Sequence, residues 1–471
     1  MMKKFWISFF LILLVVILPI GGFFIYGECI QSKEVYKDTY YAELTEKIDR
    51  LKTRENKKIV FIGGSSLIFG LRSEEIEKAT GYDVVDFGLY ASLGTPIMMN
   101  LAKDYIKEGD VVVLAPEINR QTYQNYLGYE AALKCFENMG FPWGKFNIDE
   151  TMNFFFRYFR YVIDKGNANI VLEAPYDKAS FNEYCDIDNE IVYNNILEEY
   201  YDPSQLIEPN ISLLDKDFIS LVNDYNKTIL NKKAKLYFSF SPTNGLALNR
   251  GGLEDFSNEL NETLDCPILG SVDQFTYHHY WFYDTNFHLN RSGSYLHSKN
   301  LATLLKEELK IENSYEIEVP LMPEPKYYET GKVVTYDNME FKEIVSAGKT
   351  SYRLTGLINE KKNITEFKIP EKVLDIPVLS IEGKAFKDMP NLLKVIVPSS
   401  LESINDSPFE NCPNMVGLYL EHPEPPNVPA LGLLDGASPN AYIYVPNQYI
   451  REYVVGYTWL EYRDLIKGYN L

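Results

Sequence analysis

The stretch Ile59-Val60-Phe61-Ile62-Gly63-Gly64-Ser65-Ser66 constrains this chain most. A short β-branched and aromatic run that stops at two glycines and two serines reads as a strand buried on both faces, the habit of parallel sheets. Parallel strands need crossover connections, so the neighbouring sequence has to alternate strand and helix signals. It does. Residues 73–80 predict a helix with Ser73 as N-cap and an acidic first turn. Residues 83–87 predict a strand, 88–94 a Gly-bounded loop, 96–107 a helix and 110–115 a strand. An interruption over 119–230 follows. The pattern then resumes with a strand at 235–240, a helix at 253–264 and a closing helix at 298–309. This rhythm predicts an α/β fold with a parallel sheet and right-handed crossovers. Such sheets build their sites at the carboxyl ends of strands, where Ser65 would lie. A Gly-Ser strand end by itself more often only turns the chain.

At 471 residues the chain has room for two or three domains. Its net charge of −20 argues against a protein that tracks nucleic-acid phosphates. The five cysteines (29, 135, 185, 266 and 412) show neither metal spacing nor a disulfide framework. Residues 5–26 carry no charge and are long enough to span a bilayer. Lys3 and Lys4 precede them, which predicts a single-pass protein of the cell membrane, its N-terminus cytoplasmic and its bulk extracytoplasmic. A cleaved signal peptide is the rival, against which stand the length of the run and the lack of a small-x-small site. The anchor is assigned to 1–28. The charged, Tyr-rich stretch 29–56 is expected to be a helical juxtamembrane stalk.

Two further stretches carry side chains that bear on function. Residues 152–163, with Phe154, Phe155, Phe156, Tyr158, Phe159 and Tyr161, form an aromatic, Arg-bearing segment. It reads either as a helix filling a core or as a surface that lies on a membrane or meets a partner. In Phe282-Tyr283-Asp284-Thr285-Asn286-Phe287-His288, an Asp and a His share one loop just before the last helix. His suits proton shuttling near neutral pH, and a carboxylate can orient its ring. A loop His bonded only to backbone is the plain alternative.

An early Gly-Gly-Ser strand end and a late Asp and His before the closing helix together resemble the SGNH, or GDSL-like, hydrolase family over residues 57–310. The likeness is nearest to its membrane-anchored, extracytoplasmic branch, which includes D-alanyl-lipoteichoic-acid-type and polysaccharide O-acyl transfer proteins. The resemblance implies a flavodoxin-like three-layer domain with Ser65 as nucleophile, His288 as base and Asp284 as orienting acid. It implies no metal and no other cofactor. Asp284 lies four residues before His288, one more than the family's spacing. The family's second block, which supplies a backbone N–H, is represented by Gly88 and Gly94. Its third block is absent, and Glu117 stands roughly where an oxyanion-binding Asn would be. The resemblance therefore rests the oxyanion hole on backbone N–H groups of Ser65 and the Gly88–Gly94 loop, or implies a domain that no longer catalyses.

Residues 311–340, Pro-rich at 319–325, are expected to be a linker before a second unit, 341–471. There, Ile381-Glu382-Gly383-Lys384-Ala385-Phe386 is echoed by Ile404 to Phe409, an offset of 23 residues. Each copy is followed by a strand-like run, 394–398 and 417–420. A period of this length predicts a solenoid whose units bury their apolar faces on one another, with Phe386, Met389, Phe409 and Cys412 as core. The pattern is similar to BspA-type leucine-rich repeats, with a C-terminal cap around Tyr453 and Trp459. The resemblances imply a cell-surface esterase or O-acyltransferase acting on acyl-modified envelope carbohydrate through an acyl-serine. The repeats would offer a surface to a cell-wall glycan or a surface protein. A catalytically inactive adhesion or scaffold protein, and a subunit of a membrane acyltransferase, are the other readings. None involves nucleic acid.

Overall fold

The computed structural model describes residues 2–27, 34–168, 170–193, 195–197, 201–323, 327–346, 349–358, 364–405, 407–428, 432–455 and 457–470. Cys29 lies outside them. The protein is a mixed α/β molecule with a parallel sheet and one N-terminal apolar helix, α1 (Met2–Ile25). This helix is long and apolar enough to cross a membrane, the one such helix among the described residues.

Four parallel strands, β1 (Lys58–Gly63), β2 (Asp83–Gly88), β3 (Val111–Ala115) and β4 (Lys235–Phe238), run in the order β2-β1-β3-β4. Every residue of β1 is buried, as its uninterrupted apolar run requires. Ile59 pairs with Val84 on one side and Val111 on the other. The chain leaves β1 for β2 on one side and returns to β3 on the opposite side. The gap between the carboxyl ends of β1 and β3 is thus the sheet's switch point, where connections diverge and leave a crevice. The first turn beyond β1 is the short helix α3 (Ser65–Gly70), followed by α4 (Ser73–Thr80). Ser73 does not cap α4 with its side chain. It is buried, and its hydroxyl donates to Asp186 Oδ1 at 2.6 Å. The helix expected over 96–107 ends as an α-helix at Ala102, and the closing helix begins early, at Arg291, because Asn290 Oδ1 accepts the Gly293 N–H at 3.0 Å.

From Tyr36 onward the expected stalk is instead part of this body. Helix α2 (Glu43–Thr53) buries Leu44, Ile48 and Leu51, a helical i, i+4, i+7 set. Lys47 is fully buried on the same helix. Its ammonium is held by Asp86 Oδ2 at 3.2 Å and Cys185 O at 2.8 Å, so the charge is paired rather than stranded. Two helices from the interruption, α6 (Tyr129–Met139) and α7 (Ile148–Asn167), pack on one another, and α7 opens with an Asn147–Glu150 capping box.

The expected linker is also shorter than its sequence suggests. An antiparallel meander, Tyr327–Tyr336, Met339–Ser346 and Lys349–Leu357, starts within it. Beyond it, parallel strands stack with registers that repeat the sequence period. Lys394 pairs with Gly417, Ser380 with Ser403 and Ile443 with Ile466, each 23 residues on. Phe386 lies over Phe409 with ring centroids 5.6 Å apart, and Cys412 is buried with its thiol 2.8 Å from Phe386 O. The apolar core of this region is separate from the core around the four-stranded sheet. The two regions meet through polar groups: Tyr280 Oη donates to Glu402 Oε2 at 3.2 Å, and Arg451 pairs with Asp273 at 3.2 Å.

Candidate active site

Gly63 and Gly64 allow β1 to end against β3. A Cβ on Gly63 would lie 2.5 Å from Ala115 O, and one on Gly64 would lie 2.7 Å from Glu117 Oε1. Ser65 follows as the first residue of α3, in a turn whose N–H groups have no partner within the helix. The opposing wall is the loop before the closing helix. A Phe282–Leu289 bridge, the Tyr283 N–H on His288 O at 2.8 Å and the His288 N–H on Thr285 Oγ1 at 3.0 Å fold it tightly.

This loop carries His288 to Ser65, 223 residues earlier in sequence, with Nε2 at 2.8 Å from Ser65 Oγ. On the other side of the ring, Nδ1 lies 2.8 Å from Asp284 Oδ1. The four-residue spacing therefore serves, because the tight loop turns both side chains the same way. A carboxylate only accepts, so Nδ1 carries the proton and Nε2 is left as the acceptor for the serine hydroxyl. Phe69, one helical turn after Ser65, stacks on the imidazole at 4.2 Å and 8°. Ser65 and His288 are each only 7% exposed. His297, by contrast, is buried with Nδ1 2.9 Å from Tyr277 Oη, and burial pushes it down to about 3.

Tyr176 is a site residue that the sequence reading missed. Its hydroxyl donates to Asp284 Oδ2 and lies 3.4 Å from His288 Nδ1. Burial and the nearby Asp284 charge raise its pKa far above the ordinary phenol value, which keeps it a donor. It comes from the interruption, where no local pattern marks it.

The expected oxyanion loop is differently used. The Gly88 N–H donates to Asp86 Oδ1 at 2.8 Å, and the Gly94 N–H donates to Ala91 O at 3.0 Å, so both amides are already engaged. Gly94 is glycine for another reason: its φ is +83°, and a Cβ there would meet Tyr126 O at 2.0 Å. Glu117 does reach the site. Its Oε1 accepts the Ser66 N–H at 3.0 Å and lies 3.3 Å from Ser65 Oγ, while Asn119 Nδ2 donates to Oε2 at 3.3 Å. The single Ser65 proton thus has two acceptors, with His288 the nearer.

Ser65 and His288 open into a cleft of about 490 Å³ lined by Tyr40, Tyr41, Tyr90 and Tyr176. Tyr40 meets Tyr90 edge-on at 5.8 Å and Tyr176 at 6.1 Å. Such walls suit the apolar faces of a sugar ring or an acyl group. Tyr40 and Tyr41 come from the stretch expected to be a stalk. Among the described residues no group of three or more His, Cys, Asp or Glu is placed to hold a metal ion. No protein-family model matches the chain, and no curated protein matches it either.

Proposed function

We propose that this protein is a membrane-anchored serine esterase or O-acyltransferase of the SGNH type, acting outside the cell on acyl-modified envelope carbohydrate. The observation that carries this reading is one imidazole standing 2.8 Å from both the Ser65 hydroxyl and the Asp284 carboxylate. Ser65 Oγ attacks the ester carbonyl carbon while His288 Nε2 takes its proton. The tetrahedral adduct expels the alkoxide, which receives that proton from His288, and an acyl-Ser65 remains. Water or a sugar hydroxyl, deprotonated by His288, then attacks the acyl carbon and releases Ser65. Asp284 stabilises the imidazolium in each half-reaction, and Tyr176 fixes Asp284. The Ser65 N–H, in the first turn of α3, is the donor available to the oxyanion. The uncharged run 5–26 would hold the enzyme in the membrane with its N-terminus cytoplasmic, and the leucine-rich-repeat-like region would contact a cell-wall glycan or a surface protein.

A second reading, a scaffold with an idle site, is favoured by Glu117, which crowds Ser65 with a group that accepts hydrogen bonds where a donor is wanted. Full-length protein in detergent, treated with a fluorophosphonate and examined by intact mass, separates the two. Labelling at Ser65 that Ser65→Ala and His288→Ala both abolish is the expected result. A folded protein that takes no label overturns the enzyme reading. Glu117→Gln, which replaces a charge by a donor, should then speed labelling on the order of tenfold.

A further inference from the structure

We infer that the exposed face of α7 seats the protein on the outer leaflet of the membrane and so offers the Ser65 cleft a membrane-embedded, lipid-linked ester. The second half of this inference rests on the catalytic reading above. Helix α7 has three faces. Phe154, Tyr158, Tyr161 and Lys165 are buried against the body. Arg157 and Arg160 stand on a polar face, paired with Glu130 at 3.2 Å and Asp164 at 3.6 Å. The third face is apolar yet uncovered: Ile148 is 82% exposed, Phe156 65% and Ile163 57%, with Met152 also exposed. Their spacing, with Phe159 between, confines them to a stripe about 80° wide, and a water-soluble surface would not keep such a stripe. Trp143, 78% exposed in the loop before α7, adds an indole of the kind found at membrane interfaces.

The occupant is identified by what already touches this helix. Phe23, near the end of α1, packs on Phe159 with centroids 4.9 Å apart. Gly27 lies so close to Tyr158 and Val162 that a Cβ there would come within 2.8 Å of both. The helix apolar enough to span the bilayer therefore ends on the middle of α7. Phe156 and Ile163 lie within about one helical turn of that contact and Ile148 about three turns from it, so the uncovered stripe runs out from the end of the spanning helix, in the manner of an interfacial amphipathic helix. A cavity of about 490 Å³ between α6 and α7, beside Gly27 and walled by Phe136, Phe141 and Phe155, continues the apolar surface inward. The same helix leads into Ile170, Val171 and Tyr176, which line the Ser65 cleft. A substrate held in the leaflet would thus meet the nucleophile without leaving the membrane.

The test uses the full chain with Trp6→Phe, in vesicles of phosphatidylglycerol and phosphatidylethanolamine with brominated acyl chains. Trp281 and Trp459 are buried, so Trp143 is the indole that lipid can reach. Its emission should be quenched, and F156D/I163D should abolish the quenching while keeping Ser65 labelling and hydrolysis of a water-soluble ester. That variant should lose turnover of a long-chain acylated glycolipid embedded in the vesicles. If Trp143 is not quenched while wild-type protein is quenched through Trp6, the stripe faces water or a protein and the inference falls. If quenching holds but F156D/I163D turns over the glycolipid normally, the substrate half falls. Quenching without Ser65 labelling would keep the membrane seat and overturn the catalytic reading instead.

Discussion

The four-stranded sheet and the C-terminal stack both pair their strands in parallel, the first burying its strands on both faces and the second on one, yet among the described residues it is at the first that Ser65, His288 and Asp284 come together. In the stack the central connection keeps the sequence period, Lys394 pairing with Gly417, and Phe386 lands on Phe409. Units that repeat set like side chains on one another rather than gathering unlike ones. In the β2-β1-β3-β4 sheet the connections are unequal. The order reverses beside β1, and the crevice is walled by Ser65 after β1, Glu117 after β3 and His288 from a loop 223 residues further along the chain. Irregular topology, rather than parallel pairing as such, opens a space for chemistry.

This contrast can be broken most sharply at Asp284. Asp284→Asn should lower the rate of Ser65 acylation on the order of 10⁴-fold, because Nδ1 loses its acceptor and the tautomer is no longer fixed. Urea unfolding of the variant should follow the wild type, and equal rates of acylation would remove Asp284 from the site. In the stack the corresponding blow is structural. Phe386→Ala should cost about 3–5 kcal/mol in the unfolding of the C-terminal region, since the side chain is fully buried. Ser65 labelling should be untouched, and a parallel loss of labelling would show that the two regions stand or fall together.

The smallest effect is expected at their junction. Burial pushes Glu402 up to about 7 from an ordinary 4.5, with Tyr280 donating to it and His279 Nε2 4.0 Å away. The folded protein therefore holds a proton there between these values while the unfolded chain does not. The stability from this group is complete below 4.5 and lost as pH rises through about 7. Glu402→Gln should raise the unfolding midpoint more at pH ~8 than at pH ~5, a comparison of two melting curves per protein. Parallel shifts at both values would sink the assignment.

The sheet was legible because its strands are unbroken apolar runs between glycines, and Ser65, Asp284 and His288 because they sit in two short local patterns. Tyr176, Tyr40 and Tyr41 were not legible. They reach the cleft only through tertiary packing, from a stretch with no rhythm and from one whose charge suggested solvent. Gly88 and Gly94 show how a glycine can mislead. The sequence displays the residue but not where its N–H points, and Asp86 claims the first. The early meander did leave a trace that went unread. Asp337 and Asn338, with φ of +47° and +61°, form the tight turn that such a pair favours between alternating strands.

The contact between Gly64 and Glu117 also couples the substitutions that can accumulate. A Cβ at 64 would lie 2.7 Å from Glu117 Oε1, the far end of a flexible side chain, and 3.3 Å from the backbone at Ala91 Cα. A larger residue after β1 would therefore push the Glu117 carboxylate off the Ser66 N–H that it accepts. A lineage that keeps that hydrogen bond is held to glycine beside its serine, so these two positions should vary as a pair.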